Sequence, residues 1–206
     1  MNTDRHAHWE NVYQTKGERD VSWFQDRPEI SLDLIQATGV HADAAIVDIG
    51  GGASHLADAL LDAGFGNVTV LDLSEHALAT SKARLGARDA KVKWIAADVT
   101  AWEPPETYDV WHDRAAFHFL IEPKDRAAYA ARLLRAVRAG GHAIIGTFAL
   151  DGPERCSGLP VARHDPASVG ATLGPSFALM ESRYHAHGTP TGAIQRFQFS
   201  RFRRSK

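Results

Sequence analysis

Asp48-x-Gly50-Gly51-Gly52-x-Ser54 is the densest group of residues able to do chemistry in this 206-residue chain. Consecutive glycines let a backbone come within contact distance of a ligand, because no Cβ stands in the way. Where a buried strand gives way to a helix, the free N–H groups face an acceptor or an anion. The preceding residues, Ile46-Val47-Asp48-Ile49, have the apolar, β-branched character of such a strand. Asp72 follows Gly50 by 22 positions, at the end of the next expected strand, where a carboxylate can hold a ribose diol. Asp98 ends the strand after that. These residues point to an adenosine cofactor. A dinucleotide fingerprint starting at Gly50 needs Gly or Ala at position 55, so that helix and strand pack closely. His55 stands there and argues against a nicotinamide cofactor.

The second group is His112-Asp113-Arg114-Ala115-Ala116-Phe117-His118-Phe119-Leu120, expected to meet a substrate. Along a strand His112 and Asp113 point to opposite faces. If residues 114–120 form a helical turn, Arg114 and His118 share a face. His118 then suits a general base, given a histidine's working range, and Arg114 suits an anion or the organisation of Asp113. The plainer alternative is a structural salt bridge beside a solvated histidine. Cys156 lies in a Gly- and Pro-rich stretch where Arg155 could lower its pKa, with loop packing as the alternative. No metal site is expected: the 11 histidines show no H-x-x-x-H spacing, and one cysteine forms no C-x-x-C.

Positioning these groups requires alternating strands and helices, the pattern of a parallel sheet covered on both faces. Helices are predicted over 4–16, with Trp9 and Tyr13 on one face, over 28–38, 54–63, 75–85 and 123–138, and after Asp165-Pro166. Strands are predicted over 44–49, 68–72, 92–98, 108–113 and 142–148. A closing pair spans 177–185 and 194–203, around Gly188, Pro190 and Gly192. The expected architecture is an α/β three-layer sandwich with a mostly parallel seven-stranded sheet and an antiparallel C-terminal strand. One domain is expected over 1–206: an N-terminal helical lid at 1–40, a cofactor-binding core at 41–150, and a substrate loop with the strand pair at 151–206.

Composition narrows the function classes. A net charge of −2 gives no whole-chain attraction to nucleic acid or anionic membrane. The basic tail Arg201–Lys206 reads as the solvent face of a last strand. A single cysteine excludes an internal disulfide and suits a reducing compartment. No apolar run approaches the ~18 residues of a membrane span, and Met1-Asn2-Thr3-Asp4-Arg5 lacks a signal peptide's apolar centre. A cytoplasmic location is expected. The oligomeric state is not legible.

The pattern Asp48-x-Gly50-x-Gly52-x-Ser54, with Asp72 and Asp98 following, resembles the first motifs of class I S-adenosylmethionine-dependent methyltransferases. Ser54 replaces the usual third glycine. Trp9-Glu-Asn-Val-Tyr13, Val21-Ser22-Trp23-Phe24, Gly64–Thr69 and Asp72-Leu73-Ser74 resemble the branch that includes lysine methyltransferases of elongation factor and citrate synthase, over roughly residues 8–120. The resemblance implies S-adenosyl-L-methionine as cofactor. It sets Asp48, Gly50, Gly51, Gly52 and Ser54 near the methionine and ribose, Asp72 and Leu73 at the ribose, and Asp98 and Val99 at the adenine. It also counts Asp113 among the cofactor-binding residues, and Trp23 and Phe24 as part of a lid. Methyl transfer from a sulfonium is an in-line displacement, to which proximity can supply ~7–11 kcal/mol. The acceptor is expected to be a small N-, S- or O-nucleophile, with His118, Asp113 and Arg114 as the catalytic group. A protein lysine is the alternative; a nicotinamide-dependent oxidoreductase and a non-catalytic S-adenosylmethionine-binding protein are further ones.

Overall fold

A computed structural model describes residues 3–205; Met1, Asn2 and Lys206, parts of the terminal readings above, lie outside the described residues. The chain alternates as the patterning requires. After α1 (Thr3–Thr15) and α2 (Glu29–Gln36) come β1 (Ala45–Ile49), α3 (Leu56–Asp62), β2 (Asn67–Asp72), α4 (Glu75–Leu85), β3 (Val92–Ala96) and β4 (Tyr108–Arg114). Then follow α5 (Pro123–Ala136), β5 (Val137–Phe148), a small hairpin of β6 (Arg155–Cys156) and β7 (Leu159–Pro160), α6 (Pro166–Leu173), β8 (Phe177–Gly188) and β9 (Ile194–Arg204). Seven strands form one sheet in the order β3-β2-β1-β4-β5-β9-β8. β1 to β5 are mutually parallel and β9 runs antiparallel to both neighbours. This is the expected three-layer α/β sandwich.

Alternation along β1 divides the core. Ile46 packs with Leu34, Ile35, Leu60 and Leu78 from α2, α3 and α4. Val47 and Ile49 face the opposite way, against Trp111, Tyr129, Leu133 and Val169, under α5 and α6. Strands buried on both faces read as continuous apolar runs, which is why β1 and β2 were legible. Several boundaries differ from the sequence expectation. β5 begins at Val137 and runs through Gly140-Gly141, where a break was expected. A side chain at Gly141 would stand 3.0 Å from the Asp109 carbonyl, so glycine keeps the strand paired at a crowded point. The helix expected from Ser54 starts at Leu56, and the stretch expected to be loop after 150 carries the β6–β7 hairpin. Among the described residues no helix is long and apolar enough to cross a membrane.

Candidate functional site

The register of the parallel strands sets the site. Ile49 pairs with Leu71 on one side and with Asp113 on the other, and Asp72 pairs with Ala96. Carried one residue further, these ladders bring Asp72, Gly50 and Arg114 out of the sheet side by side, on strands ~4.8 Å apart. Ala97, Asp98 and Val99 extend the row beyond Asp72. All of these line one cleft at the carboxyl ends of the strands, with Leu73, Ala115, Ala116 and Cys156. Arg5, Trp9 and Tyr13 of α1, with Trp23 and Phe119, cover it. The empty space of the cleft, counted out through its open mouth into solvent, is about 770 Å³.

The glycine turn is built for close approach. Gly50 has φ +67° and Gly52 φ +33°, values that favour glycine. A side chain at Gly51 would lie 2.5 Å from Asp48 Oδ2, and one at Gly52 would lie 2.7 Å from Asp72 Oδ2. The Gly50 N–H donates to the Leu71 carbonyl at 2.7 Å, tying the turn to β2. Asp48 faces the α2 side, 2.7 Å from His112 Nδ1, while His112 Nε2 meets Ser31 Oγ at 2.9 Å. Ser54 lies with Gly50, Gly51 and Asp48 in an adjoining cleft.

Asp72 is buried, and its Oδ1 accepts from the Ser74 N–H at 2.8 Å. Burial is the main reason its pKa rises to about 7, and Asp48 adds to the rise. A hydroxyl donor would favour the charged form of this carboxylate. Asp98 Oδ1 caps its own turn, accepting from Thr100 N–H at 2.9 Å and Thr100 Oγ at 2.7 Å; Oδ2 stands 3.4 Å from Arg5 Nη2. Both the capping role and the cleft-lining role of Asp98 are therefore realised.

The acceptor end departs from expectation. Residues 114–120 do not make the helical turn that would align Arg114 with His118. Ala115 takes φ +73° while its N–H continues the ladder to the Gly146 carbonyl at 2.8 Å, and only Phe117–Phe119 coil. His118 turns into the core. It is fully buried between Phe119 and Phe148, and its Nδ1 accepts from the Phe148 N–H at 3.3 Å. Burial drives its pKa down to about 3, and it does not line the cleft, so it is not placed to take a substrate proton. Asp113 is also turned away from the cleft. It accepts from Tyr129 Oη at 2.8 Å and from the Ala116 and Phe117 N–H groups at 2.9 and 3.2 Å. Arg114 does not organise it: its Nη2 donates instead to the Trp23 carbonyl at 2.7 Å. Phe24 stacks edge-on against His55 and lies under Arg19, outside the main cleft. Burial carries Cys156 up to about 11, outweighing nearby cations, so the expected activation by Arg155 fails.

Sequence reasoning missed two fastening residues, Arg5 and Glu10, whereas Phe119 and Leu120 of the expected substrate stretch do line the cleft. Arg5 reaches Asp98. Glu10 accepts from Ser74 Oγ and from the His76 N–H at 3.2 Å, latching α1 onto the start of α4. Phe119 meets Trp9 at a ring separation of 4.9 Å. Neither Arg5 nor Glu10 carries a spacing signal, because each acts across the fold. His55 has a new explanation too: its ring lies 2.9 Å from the Asp26 carbonyl and 3.1 Å from Glu18.

Residues 46–141 match the family described as a methyltransferase domain. Over that stretch the chain resembles a methyltransferase domain, and its fold is that of the class I S-adenosylmethionine-dependent methyltransferases. Among similar proteins, the malonyl-[acyl-carrier protein] O-methyltransferase of Anoxybacillus flavithermus is 32% identical over 110 residues, 53% of this chain and 40% of that one. The eEF1A lysine and N-terminal methyltransferase homolog of Drosophila melanogaster is 28% identical over 141 residues, 65% of this chain and 21% of that one. The chain thus spans well under half the length of these relatives. The solved N-methyltransferase NodS of Bradyrhizobium japonicum, in complex with S-adenosyl-l-homocysteine, superposes with a TM-score of 0.74 at 16% identity. That overlap covers 96% of this chain and 98% of NodS.

Proposed function

We propose that this protein transfers a methyl group from S-adenosylmethionine to a small N-, S- or O-nucleophile. The reading rests on one observation: Asp98, Asp72, Gly50 and Arg114 line a single cleft as a continuous row. In this reading Asp98 and Val99 meet the adenine, Asp72 accepts from both ribose hydroxyls, and the Gly50–Gly52 turn passes the methionine portion. Trp9, Tyr13 and Trp23 exclude water and present ring faces to the sulfonium. The reaction is a displacement on the methyl carbon: the acceptor's lone pair forms the new bond while the S–CH₃ bond breaks. Among the described residues, the cleft beside Gly50 offers the Arg114 guanidinium, the Cys156 thiol and the Tyr13 phenol, with no histidine, and burial holds both the thiol and the phenol protonated. That supports an acceptor whose nucleophile is already free of its proton, so rate comes from placement and dryness.

A protein lysine is the second reading, favoured by the likeness to the eEF1A methyltransferase homolog. Incubation with radiolabelled S-adenosylmethionine and cell extract, separated into protein and small-molecule fractions, tests both. Label in the small-molecule fraction is expected. Label confined to protein would replace the first reading with the second, and absence of cofactor binding by calorimetry would end both.

A further inference from the structure

The row of strand ends assigns a direction to the bound cofactor, and that direction says what lies beyond it. With adenine at the end of β3, ribose at β2 and the methionine portion at β1, the next strand, β4, belongs to the acceptor. Its last residue is Arg114, level with Gly50 through the Ile49–Asp113 pairing. Arg114 is partly buried and has one protein acceptor, the Trp23 carbonyl on Nη2. Among the described residues no carboxylate stands within 4.0 Å of its guanidinium, and Nε and Nη1 have no protein partner. A guanidinium has five donors in a planar fork that matches a carboxylate. Asp48, in the adjoining cleft, attracts this guanidinium without hydrogen-bonding to it, so the unused donors of a half-desolvated cation still favour a ligand that can accept from them. Tyr13, Trp23, Phe119 and Cys156 surround it in the cleft with largely apolar surface.

Resting on the methyltransferase reading above, we propose that Arg114 is a carboxylate receptor, and that the methyl acceptor is a small, partly aromatic or apolar organic acid. Its carboxylate pairs with Arg114 while its nucleophile lies toward Gly50 and the sulfonium. The same guanidinium repels an incoming lysine ammonium, so it also discriminates against a protein-lysine acceptor.

The test uses the full chain saturated with S-adenosylhomocysteine, titrated calorimetrically with phenylacetate and with phenylacetamide. The acid is expected to bind about tenfold or more tightly than the amide, the scale of a charge-assisted hydrogen bond. Arg114→Gln is expected to erase that preference while Arg114→Lys keeps part of it. An acid-to-amide ratio near one in the unmodified protein overturns the proposal whether or not the variants fold. So does an Arg114→Gln variant that retains the preference. A third result also overturns it: Arg114→Gln weakening S-adenosylmethionine at least about tenfold while 5′-deoxy-5′-methylthioadenosine, which lacks the amino-acid carboxylate, is unaffected. Arg114 would then serve the cofactor. Failure of S-adenosylhomocysteine to bind at all would instead strike the methyltransferase reading.

Discussion

The ends of β2 and β4 each carry a buried aspartate, and the two have opposite fates. Asp72 takes one backbone hydrogen bond through Oδ1 and turns its other oxygen toward the glycine turn and the cleft. Asp113 is saturated by a tyrosine hydroxyl and two backbone N–H groups, and Tyr129 in turn accepts from the Trp111 ring N–H at 2.8 Å. Burial raises both, to about 7 and about 6. The perturbed value therefore does not separate a ligand-binding carboxylate from a structural one. The count of protein donors does: a buried acceptor with few partners is reserved for something else.

The sharpest way to break this comparison is Asp72→Asn, which keeps the Ser74 contact but offers the ribose an amide. S-adenosylmethionine affinity should fall about 100-fold by calorimetry, some 2–3 kcal/mol for hydrogen bonds to a charged group; a loss under threefold would remove Asp72 from the site. Asp113→Asn should do the reverse, lowering stability by about 2 kcal/mol in urea unfolding with cofactor affinity nearly constant. Third, ionisation of Asp72 should set the pH dependence of binding. Ribose hydroxyls donate best to the carboxylate, so affinity should rise about tenfold from pH 6 to pH 8 and then level, and Asp72→Asn should flatten the curve.

The fourth prediction follows from the sign of the same shift. A raised carboxylate pKa costs the folded state stability as pH climbs from the unfolded value near 4 through about 7. Asp72→Asn should therefore stabilise the ligand-free protein at pH 8, by up to about 4 kcal/mol for a rise of that size, and not at pH 4, read from melting curves. The smallest effect concerns the α1 latch. Glu10→Gln should change cofactor affinity by about threefold or less, because a partly exposed contact contributes ~0–1 kcal/mol.

The same contrast explains how far the sequence could be read. The β1–α3 turn, Asp72 and Asp98 were legible because their geometry is local: glycines at a strand end and carboxylates at the next two. The sheet followed from apolar runs punctuated by Ser74, Gly86 and Asp165-Pro166. The β4 end was not legible, because everything there turns on Ala115. An alanine gives no warning of a left-handed backbone, yet that one conformation sends Arg114 to the cleft and lets residues 116–119 fold His118 into the core. The Gly140-Gly141 pair misled in the opposite sense, since glycine marks a crowded strand as readily as a break.

His55 carries a consequence for how this chain could change its chemistry. The side chain that spoils the dinucleotide fingerprint is also the strap holding residues 18–26 against the start of α3. Installing glycine there would supply the small residue that close helix–strand packing in the fingerprint needs and, in the same stroke, untie that strap. A switch of cofactor class that begins at this position would thus pass through a protein with a loosened cover.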